Sequence, residues 1–309
     1  MKEIFVNLKR FDVPKKLGGV CTMDNPKEWI EWVIEESERY GLGTLKDTEV
    51  TYLLPESLVL SAIEKLTNYP QSETATIHIG CQGIFREDVA PGGNFGAFTT
   101  NRPAAAVKNM GCTWAIIGHS EERKDKLGII GRYDGGVLAE EQLRAKAKFA
   151  VDALINDEVM CAMNRGINVL FCLGETAEEK GEGNFEQQRP RIEAVLKSQL
   201  QTGLKGIEND HKGWKLVIGY EPIWAIGPGK TPPGAEYIGF VSAYIKKVVK
   251  EILGFDPAVV YGGGLKEENA EAISEIESID GGLVALTRFT GNIGFYPDEL
   301  KKIIEKYQH

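Results

Sequence analysis

Short apolar runs alternate with longer amphipathic segments from one end of the chain to the other. The runs are Ile4–Leu8, Val50–Leu54, Thr76–Cys81, Trp114–Ile117, Ile167–Leu173, Leu216–Tyr220, Ala258–Tyr261 and Leu283–Leu286. Their length and β-branched content predict buried strands. Helical patterns fill the intervals: Pro26–Tyr40, Ser57–Leu66, Pro103–Met110, Leu138–Leu154, Phe185–Leu200, Ala235–Leu253 and Glu267–Ile276, with Asp298–Tyr307 after the last run. Strands alternating with helices imply parallel β-α-β units. Eight such units suggest closure into an α/β (β/α)8 barrel, although an open doubly wound sheet has the same alternation. A barrel of this kind takes ~250 residues, so a chain of 309 residues fits one barrel with insertions. No low-complexity linker or short repeat interrupts it, and a single domain over residues 1–309 is expected.

Polar residues fall at the ends of the apolar runs. Phe5, Asn7 and Lys9 share one face of the first run because strand side chains alternate. Asn7 and Lys9 therefore point toward a barrel mouth, unless they merely mark an exposed strand end. The fourth run leads into Gly118-His119-Ser120-Glu121-Glu122-Arg123. A lone histidine is more often a structural hydrogen-bonder than a catalyst. Here Ser120 and two glutamates predict a helix start. A helix N-terminus disfavours a protonated imidazole beside it, which predicts a neutral donor. The sixth run ends in Tyr220-Glu221-Pro222-Ile223-Trp224, followed by Gly227-Pro228-Gly229-Lys230. An apolar setting for Glu221 would suit a general base. Trp224 and the glycines suit a lid, rigid in the middle and hinged at its ends, though an ordinary strand-to-helix turn could read the same way. In a barrel the C-terminal strand ends form the active site, and three of these ends carry Lys, His and Glu.

Composition narrows the partners. The chain is 42% hydrophobic and 26% charged, as expected for a soluble protein with a sizeable core. A formal net charge of −9 argues against nucleic acid and anionic membrane. An anionic small substrate would need a local cationic pocket. Five cysteines without close-spaced pairs fit neither a disulfide framework nor a zinc site. No signal-peptide run opens the chain and no segment reaches transmembrane length, so a cytoplasmic location is expected.

Several motifs, in this order, resemble those of the triosephosphate isomerase family. Asn7-Leu8-Lys9 is similar to the family's Asn-Trp-Lys, with Leu8 in place of tryptophan. Gly96-Ala97-Phe98-Thr99 resembles its third loop, Gly118-His119-Ser120-Glu121 its Gly-His-Ser-Glu, and Phe171–Glu175 its fifth strand. Tyr220–Lys230 resembles its lid closely, and Tyr261-Gly262-Gly263 its Tyr-Gly-Gly-Ser. The lid and the Gly-His-Ser-Glu motif are highly specific, and the resemblance, which covers almost the whole chain, favours the barrel over the open sheet. It implies an aldose–ketose phosphate isomerase of glycolysis and gluconeogenesis, a homodimer needing no metal or other cofactor. Glu221 would be the base, His119 the electrophile that polarises the carbonyl, Lys9 and Asn7 the oxyanion donors, and Glu121 their support. Substrate phosphate would be held by backbone N–H groups at Gly227, Gly263 and Gly264 and by the eighth loop.

The chain also departs from the pattern. Ala285-Leu286 stands where the family has Gly-Gly, Gly264 replaces the serine, and extra residues follow Leu286. Arg288, flanked by Thr287 and Thr290, is the expected substitute for that lost grip, because a guanidinium binds phosphate bidentately. Asn101 and Glu122 replace both halves of a family Glu–Arg pair, which bears on the dimer expected through the third loop, residues 91–101, with Thr99 reaching toward a second copy's Asn7. An insertion between Arg123 and Gly166 lengthens the fourth helical region, and Gly128–Gly136 is expected to loop out near the mouth. With the catalytic residues kept and the grip rewritten, the sequence leaves three readings. They are triose phosphate isomerisation, the same chemistry on a longer sugar phosphate such as a tetrulose phosphate, and an inactive barrel used for binding.

Overall fold

The structure, a computed structural model, describes residues 1–207, 213–227 and 229–308. Eight strands close a parallel barrel in chain order: β1 Lys2–Asn7, β2 Thr48–Leu54, β3 Ile77–Cys81, β4 Trp114–Ile117, β5 Asn168–Leu173, β6 Leu216–Tyr220, β7 Ala258–Tyr261 and β8 Gly281–Val284. β8 pairs with β1 in the register Ile4↔Gly282 and Val6↔Val284, which seals the ring. The last strand thus begins and ends two residues earlier than the apolar run Leu283–Leu286 suggests. Gly281 and Gly282 pair because they lack side chains: a Cβ on Gly281 would stand 1.8 Å from the carbonyl oxygen of Glu3. Ala285 and Leu286 fall beyond the ladder.

Side chains alternate across the strands and fill the barrel. Phe5, Leu53, Trp114, Ile116, Leu170 and Val217 form an interior cluster, with Phe5 edge-on to Trp114 at 4.9 Å between ring centroids. Burying each such side chain is worth about 1.5–3 kcal/mol, so the interior is a packed plug and not a pore. Asn7 lies one alternation above Phe5, where the plug ends and the mouth begins. A second, larger core packs the outer faces of the strands against the helices, including Trp29, Val33, Ile192, Leu196, Val241 and Ile245. Among the described residues no helix is long and apolar enough to cross a membrane.

The insertion after β4 is helical. Helix Ser120–Tyr133 runs straight through Gly128, and Gly136–Ala139 and Glu141–Asn164 follow. The expected loop over Gly128–Gly136 is therefore wrong for most of its length. Its glycines admit a close contact: a Cβ on Gly131 would lie 2.9 Å from Cδ1 of Leu138.

Two ionic clusters tie the insertion to the barrel mouth. Arg123 pairs with buried Asp152 and donates to the carbonyl oxygens of Gly118 (2.7 Å) and Cys172 (3.0 Å). Lys126 lies 2.5 Å from Glu122 and 2.9 Å from Glu158, and Glu122 accepts the Gly118 N–H at 2.6 Å. Burial, with Glu122 alongside, pushes the Glu158 carboxyl up to about 9. Burial also opposes ionisation of Glu122, but Glu158, Lys126 and the Gly118 N–H together hold it below its ordinary range.

The sign of the pH effect follows. A carboxyl whose folded pKa is raised contributes stability that is complete below its unfolded pKa of 4.5 and is lost as pH climbs toward 9. Glu158→Gln keeps the hydrogen bond without the proton. The melting temperature of the variant should match the parent near pH 4.5 and exceed it increasingly toward pH 9. The gap should be roughly 2–4 °C per kcal/mol recovered. A constant difference across a pH series of melts would contradict this.

Candidate active site

All eight strands point their C-terminal ends at one face, and a cleft of about 1210 Å³ opens there. Asn7, Lys9, His119, Glu121 and Glu221, expected together from separate parts of the sequence, all line it. Lys9 follows β1 with φ at 21°, in the left-handed region that side chains rarely adopt. Its N–H donates to Asn7 Oδ1 at 3.2 Å. Gln82, after β3, donates from Nε2 to Asn7 Oδ1 (3.1 Å) and to the carbonyl oxygens of Lys9 (3.0 Å) and Leu53 (3.2 Å). With Oδ1 occupied twice, the Asn7 amide nitrogen is the group left to donate into the cleft.

Lys9 Nζ reaches Glu121 Oε1 at 2.7 Å. Burial opposes ionisation of Glu121, but Lys9 and its hydrogen bond more than offset it and hold the carboxyl below its ordinary range. His119 caps the helix Ser120–Tyr133: its Nδ1 accepts the Glu121 N–H at 3.3 Å. An accepting Nδ1 leaves the proton of a neutral ring on Nε2. That nitrogen lies 3.2 Å from Glu221 Oε1.

Glu221 directly follows β6 and is only 2% exposed. Gly174, after β5, makes room for it, since a Cβ there would stand 1.7 Å from the Glu221 carbonyl oxygen. The carboxylate accepts the Ser120 N–H at 3.0 Å and the Ser120 hydroxyl at 2.9 Å, in addition to facing His119. Its surroundings are thus a ring of donors, not the apolar wall suggested by Tyr220 and Ile223. Tyr220 points to the outer side of the barrel and meets Glu175.

Glu175, in the sequence only the last residue of the fifth-strand motif, anchors the lid root in the structure. It is fully buried, and its Oε1 accepts from Tyr220 Oη (3.0 Å), Trp224 Nε1 (2.7 Å) and Tyr237 Oη (2.6 Å). Burial pushes its carboxyl up, against those three donors. Trp224 sits in the short helix Ile223–Ala225 at the root of the lid, and Lys180 Nζ lies 3.8 Å from its ring centroid. The lid segment Tyr220–Lys230 includes Pro228, which lies outside the described residues. The sequence signal available for the anchor is Trp224 itself, since a packed indole N–H needs an acceptor.

Gly227, Gly263, Gly264, Ala285 and Leu286 line the cleft where the loops after β6, β7 and β8 meet it. Arg288 does not join them. It ion-pairs with Glu299 (2.6 Å) and lies 3.8 Å from the centroid of the Tyr296 ring. The reason is a small turn in the lengthened eighth loop, where Arg288 and Gly294 exchange backbone hydrogen bonds at 3.1 and 3.2 Å. That pairing turns the Arg288 side chain outward and brings Phe289 and Ile293 to the cleft. Thr287 is also spent on structure, accepting the Tyr296 N–H at 2.9 Å, and Thr290 is exposed. Lys266, missed in the sequence, also lines the cleft.

Comparison with known proteins agrees with this geometry. The family model described as triosephosphate isomerase matches residues 30–292. The triosephosphate isomerase of Nitratidesulfovibrio vulgaris is 30% identical over 268 residues, 84% of this chain and 87% of that protein. That of Geobacter metallireducens is 33% identical over 245 residues, 77% and 80% respectively. That of Oleidesulfovibrio alaskensis is 30% identical over 250 residues, 79% and 83%. In fold, the chain is similar to the crystal structure of triosephosphate isomerase from Bartonella henselae, with a TM-score of 0.65 and 21% identity, over 100% of this chain and 99% of that one. The chain belongs to the triosephosphate isomerase family.

Proposed function

We propose that the protein interconverts glyceraldehyde 3-phosphate and dihydroxyacetone phosphate by proton transfer through an enediolate. The observation that carries the reading is the convergence of a buried carboxylate, Glu221, on the Nε2 of His119, which lies within 3.2 Å of it in the same cleft as Lys9 and Asn7. A carbon-bound proton beside a carbonyl is a weak acid, so a base alone is not enough. Preorganised donors must take up the charge that develops on the oxygen.

Glu221 removes the proton from the carbon next to the aldehyde, and the electron pair moves onto the carbonyl oxygen. His119 Nε2–H and Asn7 Nδ2–H donate to the two oxygens of the enediolate, and the Lys9 ammonium offsets its charge. A proton passes between those oxygens, and Glu221 returns its own to the former aldehyde carbon, leaving the ketone. For His119 to face a carbonyl, the Glu221 carboxylate must first leave it. The position against Ser120 is therefore a resting one, and lid closure supplies the move while excluding water.

Kinetics test the assignment. Glu221→Asp draws the carboxylate back by about 1 Å and should lower kcat ~100-fold with substrate binding kept. His119→Ala should lower kcat by ~10²–10⁴. Turnover near the parental level in Glu221→Ala would sink the base assignment, and an effect of His119→Ala confined to KM would make it a binding group. The same assay run with tetrulose phosphates should show kcat/KM lower than for the triose substrate.

The reading includes a homodimer joined through residues 91–101, in the reducing cytosol that five unpaired cysteines suit. Phe95 supports it: the side chain is 94% exposed, on a backbone with φ at 53°. Such a strained apolar tip marks an interaction surface. Glu122, which takes the place of the family's arginine, is turned inward to Gly118 and Lys126, so apolar contact and not a Glu–Arg pair would carry the interface. Light scattering should give about twice 34.1 kDa for the parent and a shift toward 34.1 kDa for Phe95→Asp. A monomeric parent at micromolar concentration would contradict it.

A further inference from the structure

We propose that Lys266 is the cation that grips the substrate phosphate, a role that rests on the isomerase reading. The problem it solves is steric. Ala285 and Leu286, which line the cleft, still have backbone N–H groups, but a side chain at each position limits how closely a phosphate can approach them. A longer donor is needed there. Arg288 is committed to Glu299 and Tyr296, and Lys9 to Glu121 at 2.7 Å.

Lys266 meets the need in place, in posture and in charge. It lines the cleft at the turn that follows β7, beside Gly263 and Gly264. The turn is fixed by Asn269, whose Oδ1 accepts the Lys266 N–H at 2.8 Å and whose Nδ2 donates to the Gly264 carbonyl at 3.0 Å. The ammonium lies 4.1 Å from the ring centroid of Phe289, itself half-exposed. Phe289 belongs to the lengthened eighth loop, so the segment that lost the glycines also supplies the plate that holds the lysine. Among the described residues Lys266 has no carboxylate partner. A cation resting on an aromatic face is held in position but not neutralised. An arriving phosphate can therefore take it as a charge-assisted donor, with the Gly263 and Gly264 N–H groups alongside.

Calorimetric titration of the full chain with inorganic phosphate tests this, together with KM and kcat for glyceraldehyde 3-phosphate. Lys266→Met should weaken phosphate binding by about tenfold or more and raise KM similarly, with kcat within about threefold, since one charge-assisted contact is removed. Lys266→Arg should restore both values to within about threefold, which a merely structural role would not do. Unchanged phosphate affinity and KM in Lys266→Met, with the parent an active isomerase, would overturn this inference alone. Lys266-dependent phosphate binding in a parent that isomerises no sugar phosphate would uphold the site and overturn the isomerase reading. A parent that binds no phosphate would overturn the site.

Discussion

The contact on which the site depends is the one between the Glu221 carboxylate and the start of the helix Ser120–Tyr133. Two donors of Ser120, at 2.9 and 3.0 Å, and His119 Nε2 at 3.2 Å fix the carboxylate. It can form only because the barrel sets the ends of β4 and β6 on the same rim and because Gly174, between them, has no side chain. The helix is in turn clamped from behind by Arg123 on Asp152 and by the Glu122–Lys126–Glu158 cluster. The insertion thus reaches Glu221 through packing, and its helices also line the cleft with Lys124, Leu127, Lys148 and Phe149.

That contact must also break. A hydrogen bond to a charged group is worth about 1.5–3 kcal/mol, so pulling the carboxylate from Ser120 has to be offset. In the proposed reaction, binding of the substrate supplies the difference. Trp224, at the root of the lid segment, is held by Glu175 together with Tyr220 and Tyr237, three donors on one buried oxygen, which fixes that root against the barrel.

Much of this was legible in the residues. Apolar runs found all eight strands because parallel strands covered on both faces need no polar alternation. Asn7, Lys9, His119 and Glu221 were legible because polar residues directly after buried strands must face the mouth of a closed barrel. The failures have physical causes. The apolar run places the eighth strand two residues late because Leu286, beyond the ladder, is apolar where it packs between core and cleft, while Gly281 and Gly282 pair despite looking like a turn. Gly128 and Gly131 resembled loop residues but serve a helix that Leu138 packs against. Arg288 had the right chemistry and the wrong direction, which only the backbone pairing with Gly294 decides. Lys266 carried no signal, since its meaning comes from Phe289, brought beside it by the same turn.

In the proposed reaction Glu221 moves a proton between adjacent carbons. The most direct measurement is the conversion of glyceraldehyde 3-phosphate in deuterium oxide, with the product analysed by NMR. The expected product is dihydroxyacetone phosphate carrying deuterium stereospecifically on the former aldehyde carbon, because a carboxylic acid exchanges its proton with solvent. Glu221→Ala should abolish both turnover and label. Turnover and label that survive in Glu221→Ala would contradict it.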